Sequence, residues 1–212
     1  MYSFIVFFLT ILILFLIAQK INQNKDIIEV VSKIDKREYL VRKLPDSQQS
    51  ADKLAILNQN VIRLLQHIKN EERPGVKYLV NRYNPDKLSE TALGAKYTSY
   101  SVNKGESIAM CLREPNNSFI DMNTVHFVII HELSHVMTPE VGHTKLFWEN
   151  MGYLLRKASE IGIYKYYDYG AKPIRYCGVT IDSTPFNLGL ETDENDENDE
   201  NDENDENDEN DE

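Results

Sequence analysis

Residues 122–148 read MNTVHFVIIHELSHVMTPEVGHTKLFW, and the fold prediction starts from this stretch. The nearly continuous apolar run Val125–Ile130 predicts a buried helix, because a helix that is apolar on every side needs protein around it. We expect this helix to span Thr124–Met137. Asp121 or Asn123 would serve as its N-cap, since short polar side chains accept hydrogen bonds from the first free N–H groups.

Two histidines lie one helical turn apart near the end of the predicted helix, in the run His131-Glu-Leu-Ser-His135. Residues i and i+4 share one face of a helix, so both imidazoles can bind one metal ion. Zn²⁺ accepts imidazole nitrogen and keeps a water position in catalytic sites. Glu132 lies beside that position, where a carboxylate can act as the general base of a hydrolysis.

A third histidine follows after a short interruption of the helical pattern. Pro139 and Gly142 end the first helix, and a second helix is expected over Thr144–Ile161. The intervening turn could bring His143 back to complete a three-ligand site. The alternatives for the third ligand are acidic residues that lie in the turn or on the second helix: Glu140, Glu149 and Glu160.

Two further histidines and several tyrosines are candidates for roles around the predicted metal site. His126 falls off the ligand face of its helix and His67 is expected on a helix surface, so neither is predicted to bind metal. Hydrolysis also needs a group that stabilises an oxyanion. The tyrosine candidates lie in one segment: Tyr166, Tyr167, Tyr169 and Tyr176. The strand Ser107–Leu112 could bind an extended peptide by strand addition.

The remaining sequence predicts an α+β fold in which a small sheet with an edge hairpin packs on the metal-site helix. Apolar residues repeat at helical spacing between residues 50 and 69, and alternate in several shorter segments. Asn103-Lys104-Gly105-Glu106 predicts a hairpin loop. The predicted elements are a helical stalk over Ile27–Ile34, strands over Arg37–Leu44, Tyr97–Val102, Ser107–Leu112 and Ile174–Ile181, and helices over Ser50–Lys69 and Pro74–Arg82.

Composition divides the 212 residues into unlike parts. Residues 1–19 are almost wholly apolar and predict a single transmembrane helix, followed by a stalk or linker over 20–36. A cleaved signal peptide is the alternative, but such a peptide typically has basic residues before its apolar run, and none is present here. A domain is expected over 37–190 and a disordered acidic repeat tail over 191–212. The tail holds 15 of the 34 acidic residues and no basic residue, so a net charge of −11 becomes +4 without it. That charge is too small to predict nucleic-acid binding.

Cys111 and Cys177 are the only cysteines. Their separation fits neither a disulfide framework nor a zinc ribbon. They could pair if the domain faced an oxidising compartment, but the spacing favours two reduced, partly buried thiols. Five basic residues follow the apolar segment, and the positive-inside rule then predicts a domain on the cytoplasmic side of the membrane.

The run from His131 to Trp148 resembles the small gluzincin-like metallopeptidases of the WLM and SprT-like type, which share a HELxH motif, a later histidine and a Phe-Trp pair. The resemblance implies a zincin-like fold, zinc bound by His131, His135 and His143, and Glu132 as general base. It also implies that Phe147 and Trp148 pack beneath the site. The asparagine-rich repeat tail suggests a member from a large DNA virus.

The sequence therefore predicts a membrane-anchored zinc metallopeptidase that acts on protein or peptide substrates. Family members that repair DNA–protein crosslinks are soluble, so the predicted anchor makes that role unexpected here. One alternative is a membrane-tethered binding or structural protein with a non-catalytic zinc site. A second alternative is hydrolysis of a non-peptide amide, because the water chemistry is shared. The sequence makes no prediction about oligomeric state.

Overall fold

A computed structural model describes residues 2–23 and 26–187 of the chain. The predicted acidic tail, 191–212, lies outside the described residues. The helices are α1 Tyr2–Gln23, α2 Ser47–Ile68, α3 Val76–Arg82, α4 Met122–Met137 and α5 Lys145–Glu160, with a short 3₁₀ turn at Pro85–Lys87. The strands are β1 Ile27–Val31, β2 Glu38–Arg42, β3 Leu88–Glu90, β4 Tyr100–Val102, β5 Ser107–Met110, β6 Ile174–Tyr176 and β7 Val179–Ile181.

The α+β architecture is confirmed, with helices packed on small sheets. β5 is the central strand of a three-stranded sheet, parallel to β3 on one side and antiparallel to β4 on the other. The β4–β5 hairpin was predicted. The prediction that Ser107–Leu112 binds a peptide by strand addition is wrong, because β5 already has a neighbouring strand on each side. The edge strand beside it is β4.

The helical stalk predicted for Ile27–Ile34 is also wrong. Residues Ile27–Val31 form β1, which pairs antiparallel with β2 in a separate two-stranded sheet. Four of its five residues are β-branched, and such side chains pack well on a pleated surface. Asp52 on α2 fixes the end of the strand by accepting hydrogen bonds from the Ser32 hydroxyl and the Lys33 N–H.

The apolar N-terminal segment forms α1, and its described side chains from Phe4 to Leu14 are exposed. No helix among the described residues combines the length and the apolar character that crossing a bilayer requires. The predicted transmembrane helix therefore lacks structural support, and the predicted membrane localisation stays a prediction.

The core lies between α2, α4, α5 and the strands. α4 packs against α3 and α5 and against β4 and β5, as expected for a helix that is apolar on all sides. The helical repeat predicted in α2 is confirmed, since its apolar members are all buried: Leu54, Leu57, Val61, Leu64, Leu65 and Ile68.

A buried ion network joins elements that are distant in sequence. The guanidinium of Arg113, just beyond β5, donates hydrogen bonds to Asp46, Glu90 and Ser50 at 2.8 to 3.0 Å. Asp46 and Ser50 lie at the start of α2, and Glu90 ends β3. A buried charge is tolerated when it is paired and hydrogen-bonded, so this network fixes the sheet against α2.

The two cysteines form a disulfide, contrary to the favoured prediction of reduced thiols. Cys111 directly follows β5, and Cys177 lies in the turn between β6 and β7. The turn itself favours this arrangement, because Tyr176 is buried next to Cys177 and its hydroxyl donates to the Cys111 carbonyl at 2.8 Å. Disulfides persist mainly in oxidising compartments.

Removing the disulfide in a Cys111→Ser/Cys177→Ser variant should lower the free energy of unfolding by about 2–4 kcal/mol, because the closed loop is long. The loop spans a sequence separation of 66 residues. Urea unfolding of the oxidised wild type and the variant measures this difference. Equal stability, with two thiols that react in the unreduced native protein, would show that the cysteines do not pair.

Candidate active site

α4 places the motif histidines at the point where a buried helix reaches an open cleft. The carboxylate of Asp121 caps the helix by accepting hydrogen bonds from the N–H groups of Asn123 and Thr124. Of the two N-caps predicted from the sequence, Asp121 is therefore the one that the structure has. The helix continues to Met137, and Pro139 follows. His131 and His135 therefore lie on the last two turns and share one face of α4.

The structure brings three histidines together. The Nε2 atom of His131 lies 3.2 Å from Nε2 of His135 and 3.1 Å from Nε2 of His143, which comes just before α5. The ligand atoms of all three side chains lie within 4.8 Å of one another. Three nitrogens bound to tetrahedral zinc at 2.0–2.1 Å would be separated by roughly 3.3 Å, so the three side chains fit a zinc ion.

Aromatic side chains support the three imidazoles. Phe147 is fully buried, and its ring centroid lies 4.4 to 4.9 Å from the centroids of the three histidine rings. The indole of Trp148 stacks on His143 at 5.4 Å. Packing of this kind limits rotation of the imidazoles and orients them for binding, in agreement with the expectation for the Phe-Trp pair.

Burial keeps the motif histidines in the neutral form that binds metal. Desolvation, reinforced by the neighbouring imidazoles, lowers the pKa of His131 to about 3. Desolvation, with smaller contributions from His143 and Lys104, lowers the pKa of His135 to about 4. Both rings are therefore neutral at pH 7 and carry a free lone pair.

Glu132 experiences the same burial with the opposite consequence. Its side chain is only slightly exposed, and desolvation raises its pKa to about 7, against a smaller lowering by a hydrogen bond from the backbone N–H of Ser101. A carboxyl group with a pKa near the working pH can both accept and return a proton. Sequence reasoning missed Ser101, because only the sheet brings β4 beside α4.

Two of the three alternative acidic ligands are engaged elsewhere, and the third, Glu149, lies outside the histidine group. Glu140 accepts a hydrogen bond from the Thr144 hydroxyl at 2.5 Å, and Glu160 pairs with His67 at 3.1 Å. His126 is buried and bonded to the amide of Asn60, in agreement with its predicted non-ligand status. Within the described chain, the group that could hold a metal contains three histidines and no carboxylate.

The four tyrosines considered for oxyanion stabilisation differ in their contacts. Tyr166 packs on Phe186, and Tyr167 packs on Tyr169, which in turn contacts Phe127. Tyr176 alone among them lines a cavity that Glu132 also lines. Its hydroxyl is already bonded to Ser99 and to the carbonyl of Cys111.

Replacing His143 with Ala should weaken zinc binding by more than about 100-fold, because a lost ligand costs more than the 10–100-fold typical of residues that only support a ligand. Competition with a chelator of known zinc affinity measures the change. His67→Ala is the matched control, since His67 pairs with Glu160 away from the site and its loss should leave zinc affinity unaltered. Equal zinc affinity in the wild type and His143→Ala would exclude His143 as a ligand.

Comparison with known proteins agrees with the geometry. The family model described as "WLM domain" matches residues 33–211. The chain is 34% identical over 177 residues to "Uncharacterized protein R325" of Acanthamoeba polyphaga mimivirus, covering 80% of this chain and 89% of that protein. It is 28% identical over 151 residues to "Uncharacterized protein 136R" of Invertebrate iridescent virus 6, covering 69% and 79%. No solved structure gave a significant match.

Proposed function

The chain belongs to the WLM domain family, and on that premise we propose that it is a zinc-dependent metallopeptidase. The observation that carries the proposal is the arrangement of His131, His135 and His143 beside a buried glutamate of raised pKa. The viral origin of its relatives agrees with the predicted relation to large DNA viruses.

The three histidines would hold Zn²⁺, which supplies a Lewis acid and lowers the pKa of water when it is bound. Glu132 supplies the proton transfers. Its carboxylate accepts a proton from the attacking water and then gives it to the nitrogen of the scissile amide as that bond breaks. The backbone of Ser101 in β4 lies close enough to lower the pKa of this carboxyl group, and it would help to orient the carboxylate.

The free edge of β4 supports a peptide substrate. β4 pairs with β5 on one side only, and the backbone of its Ser101 lies near Glu132. An extended peptide that adds to this edge would place its backbone across the site, with main-chain hydrogen bonds that do not depend on its sequence.

A non-catalytic zinc site is the rival function. Structural zinc sites are typically closed by four protein ligands, whereas catalytic sites have three and keep one position for water. The group in the described residues has three members, which favours catalysis. Hydrolysis of a non-peptide amide would use the same residues. An assay that compares peptides with non-peptide amides therefore distinguishes these two activities.

Glu132→Gln should retain zinc and lose peptide hydrolysis by about 10²–10⁴-fold, because the amide cannot accept the proton. The assay uses the full chain loaded with zinc and a peptide library derived from a proteome. Glu149→Gln is the control, since Glu149 lies on α5 outside the histidine group and its loss should leave the rate within about threefold.

Undiminished activity in Glu132→Gln would contradict the assigned mechanism. A wild-type protein that holds one zinc ion and cleaves no peptide in the library would favour the non-catalytic site instead.

A further inference from the structure

A cavity of about 260 Å³ opens beside Glu132. Its inner wall is formed by Phe127 and Val128 on α4 and by Met151 on α5, all of which are buried. Pockets for drug-sized ligands are typically 300–1,000 Å³. The cavity is therefore smaller than a pocket for a whole ligand and has a size suited to one side chain.

The cavity lies on the Glu132 side of the histidine group. His131 and Glu132 line it, whereas His135 and His143 do not. Glu132 must return its proton to the departing amine, so the residue that contributes this amine lies on the Glu132 side. Resting on the proposed function, we infer that the cavity binds the side chain of the residue directly after the scissile bond.

The lining determines which side chains fit. The apolar inner wall favours aliphatic or thioether groups, since burial of each methylene is favourable. Carboxylates of Glu132 and Asp182 also line the cavity and disfavour an acidic side chain by like-charge repulsion. Leu or Met at this substrate position should therefore be cleaved better than Ala or Asp.

The outer wall is fixed in place by covalent and polar links. It consists of residues 179–183, which begin with β7. The β6–β7 turn is joined to the segment after β5 by Cys111–Cys177, and Tyr176 contributes both a wall surface and its hydrogen bond to Cys111. A wall held in this way gives a cavity of defined size, which is what selection between side chains requires.

The test uses peptides that differ only at the residue after the scissile bond. We expect kcat/KM for Leu to exceed that for Ala by 10-fold or more, because a hydrophobic pocket discriminates methylene groups by about 10–200-fold. Val128→Phe fills the cavity and should lower the Leu-to-Ala ratio at least about 10-fold with zinc retained. Ile56→Phe, on the exposed side of α2, is the control.

Met151→Ala provides a second variant in case Val128→Phe folds poorly. It enlarges the cavity and should raise the relative rate for Phe. Cleavage without any preference at this position, or a ratio unchanged in both variants, would overturn the cavity assignment while leaving the peptidase proposal intact. A complete lack of cleavage by the wild type would overturn both.

A different observation concerns Lys104 in the β4–β5 turn. Its ammonium group donates hydrogen bonds to the carbonyls of Thr138, Pro139 and Glu140 at 2.6, 3.1 and 2.7 Å. An ammonium group has three donors, and all three are used here. These carbonyls belong to the segment that joins the end of α4 to His143.

The turn that presents Lys104 is held in an unusual conformation. Asn103 and Lys104 have φ angles of 46° and 54°, in the left-handed region where non-glycine residues are uncommon. Arg82 donates to the carbonyls of both residues, at 2.7 and 3.1 Å. Gly105 follows at φ 93°, and a Cβ there would lie 2.9 Å from a Val136 methyl, so only glycine fits this close approach.

Surrounding structure must stabilise such a turn, and residues in unfavourable backbone conformations are concentrated at functional sites. The geometry points to Lys104 as a positioning residue for His143: it clamps the connecting segment so that the third imidazole meets the other two. The hairpin thereby aligns two parts of the site, since β4 also supplies the N–H that reaches Glu132.

A double-mutant cycle on zinc affinity tests this role. Lys104→Met should weaken zinc binding about 10–100-fold, the range found when residues that orient ligands are lost. In a His143→Ala background the same change should have an effect below about threefold, because the positioned ligand is already absent. Lys87→Met, at the exposed lysine that ends the 3₁₀ turn, is the control.

Lys104→Arg keeps the charge and should recover part of the lost affinity. Equal effects of Lys104→Met with and without His143, or no change in zinc affinity, would overturn the positioning role. A purely structural role would lower thermal stability without this coupling.

Discussion

Burial of α4 determines both the packing of its neighbours and the protonation of the groups at the histidine site. An apolar helix of this kind must be surrounded by protein, and α3, α5 and the β4–β5 hairpin surround it. The same burial acts on the site in two directions. It disfavours charge on His131 and His135, which lowers their pKa values, and it disfavours charge on Glu132, which raises its pKa. Desolvation thus keeps His131 and His135 neutral for metal binding and gives Glu132 a pKa at which it can accept and return a proton.

The elements around α4 complete the site from distant parts of the chain. α5 begins just after His143 and supplies Phe147 and Trp148 against the imidazoles. The β4–β5 hairpin supplies the Ser101 N–H and the Lys104 ammonium group. The β6–β7 hairpin, joined to the end of β5 by a disulfide, closes one side of the cleft. The contributions of the two hairpins come from turns and edge strands, which a rigid scaffold holds in position and where functional residues are common.

The sequence predicted those parts of the fold that depend on local spacing. The i, i+4 histidines, the helical repeat of α2 and the glycine-containing β4–β5 loop are all short-range patterns. β3 was missed because its three residues are too few to show a period, and its parallel pairing with β5 is not local. Cys111 and Cys177 were expected to be reduced thiols because their separation carries no pairing signal. The nearness of Ser101 to Glu132 and the hydrogen bonds of Lys104 depend on the placement of the β4–β5 hairpin beside α4, which no local pattern encodes.

We propose that the histidine group forms a catalytic zinc site with three protein ligands. X-ray absorption spectroscopy at the zinc edge of the zinc-loaded full chain tests it most directly. A catalytic site of this kind should give three imidazole nitrogens and one further light-atom ligand, with zinc–nitrogen distances of about 2.0–2.1 Å. A fourth imidazole, a sulfur ligand at about 2.3 Å, or failure to bind one zinc ion per chain would contradict it.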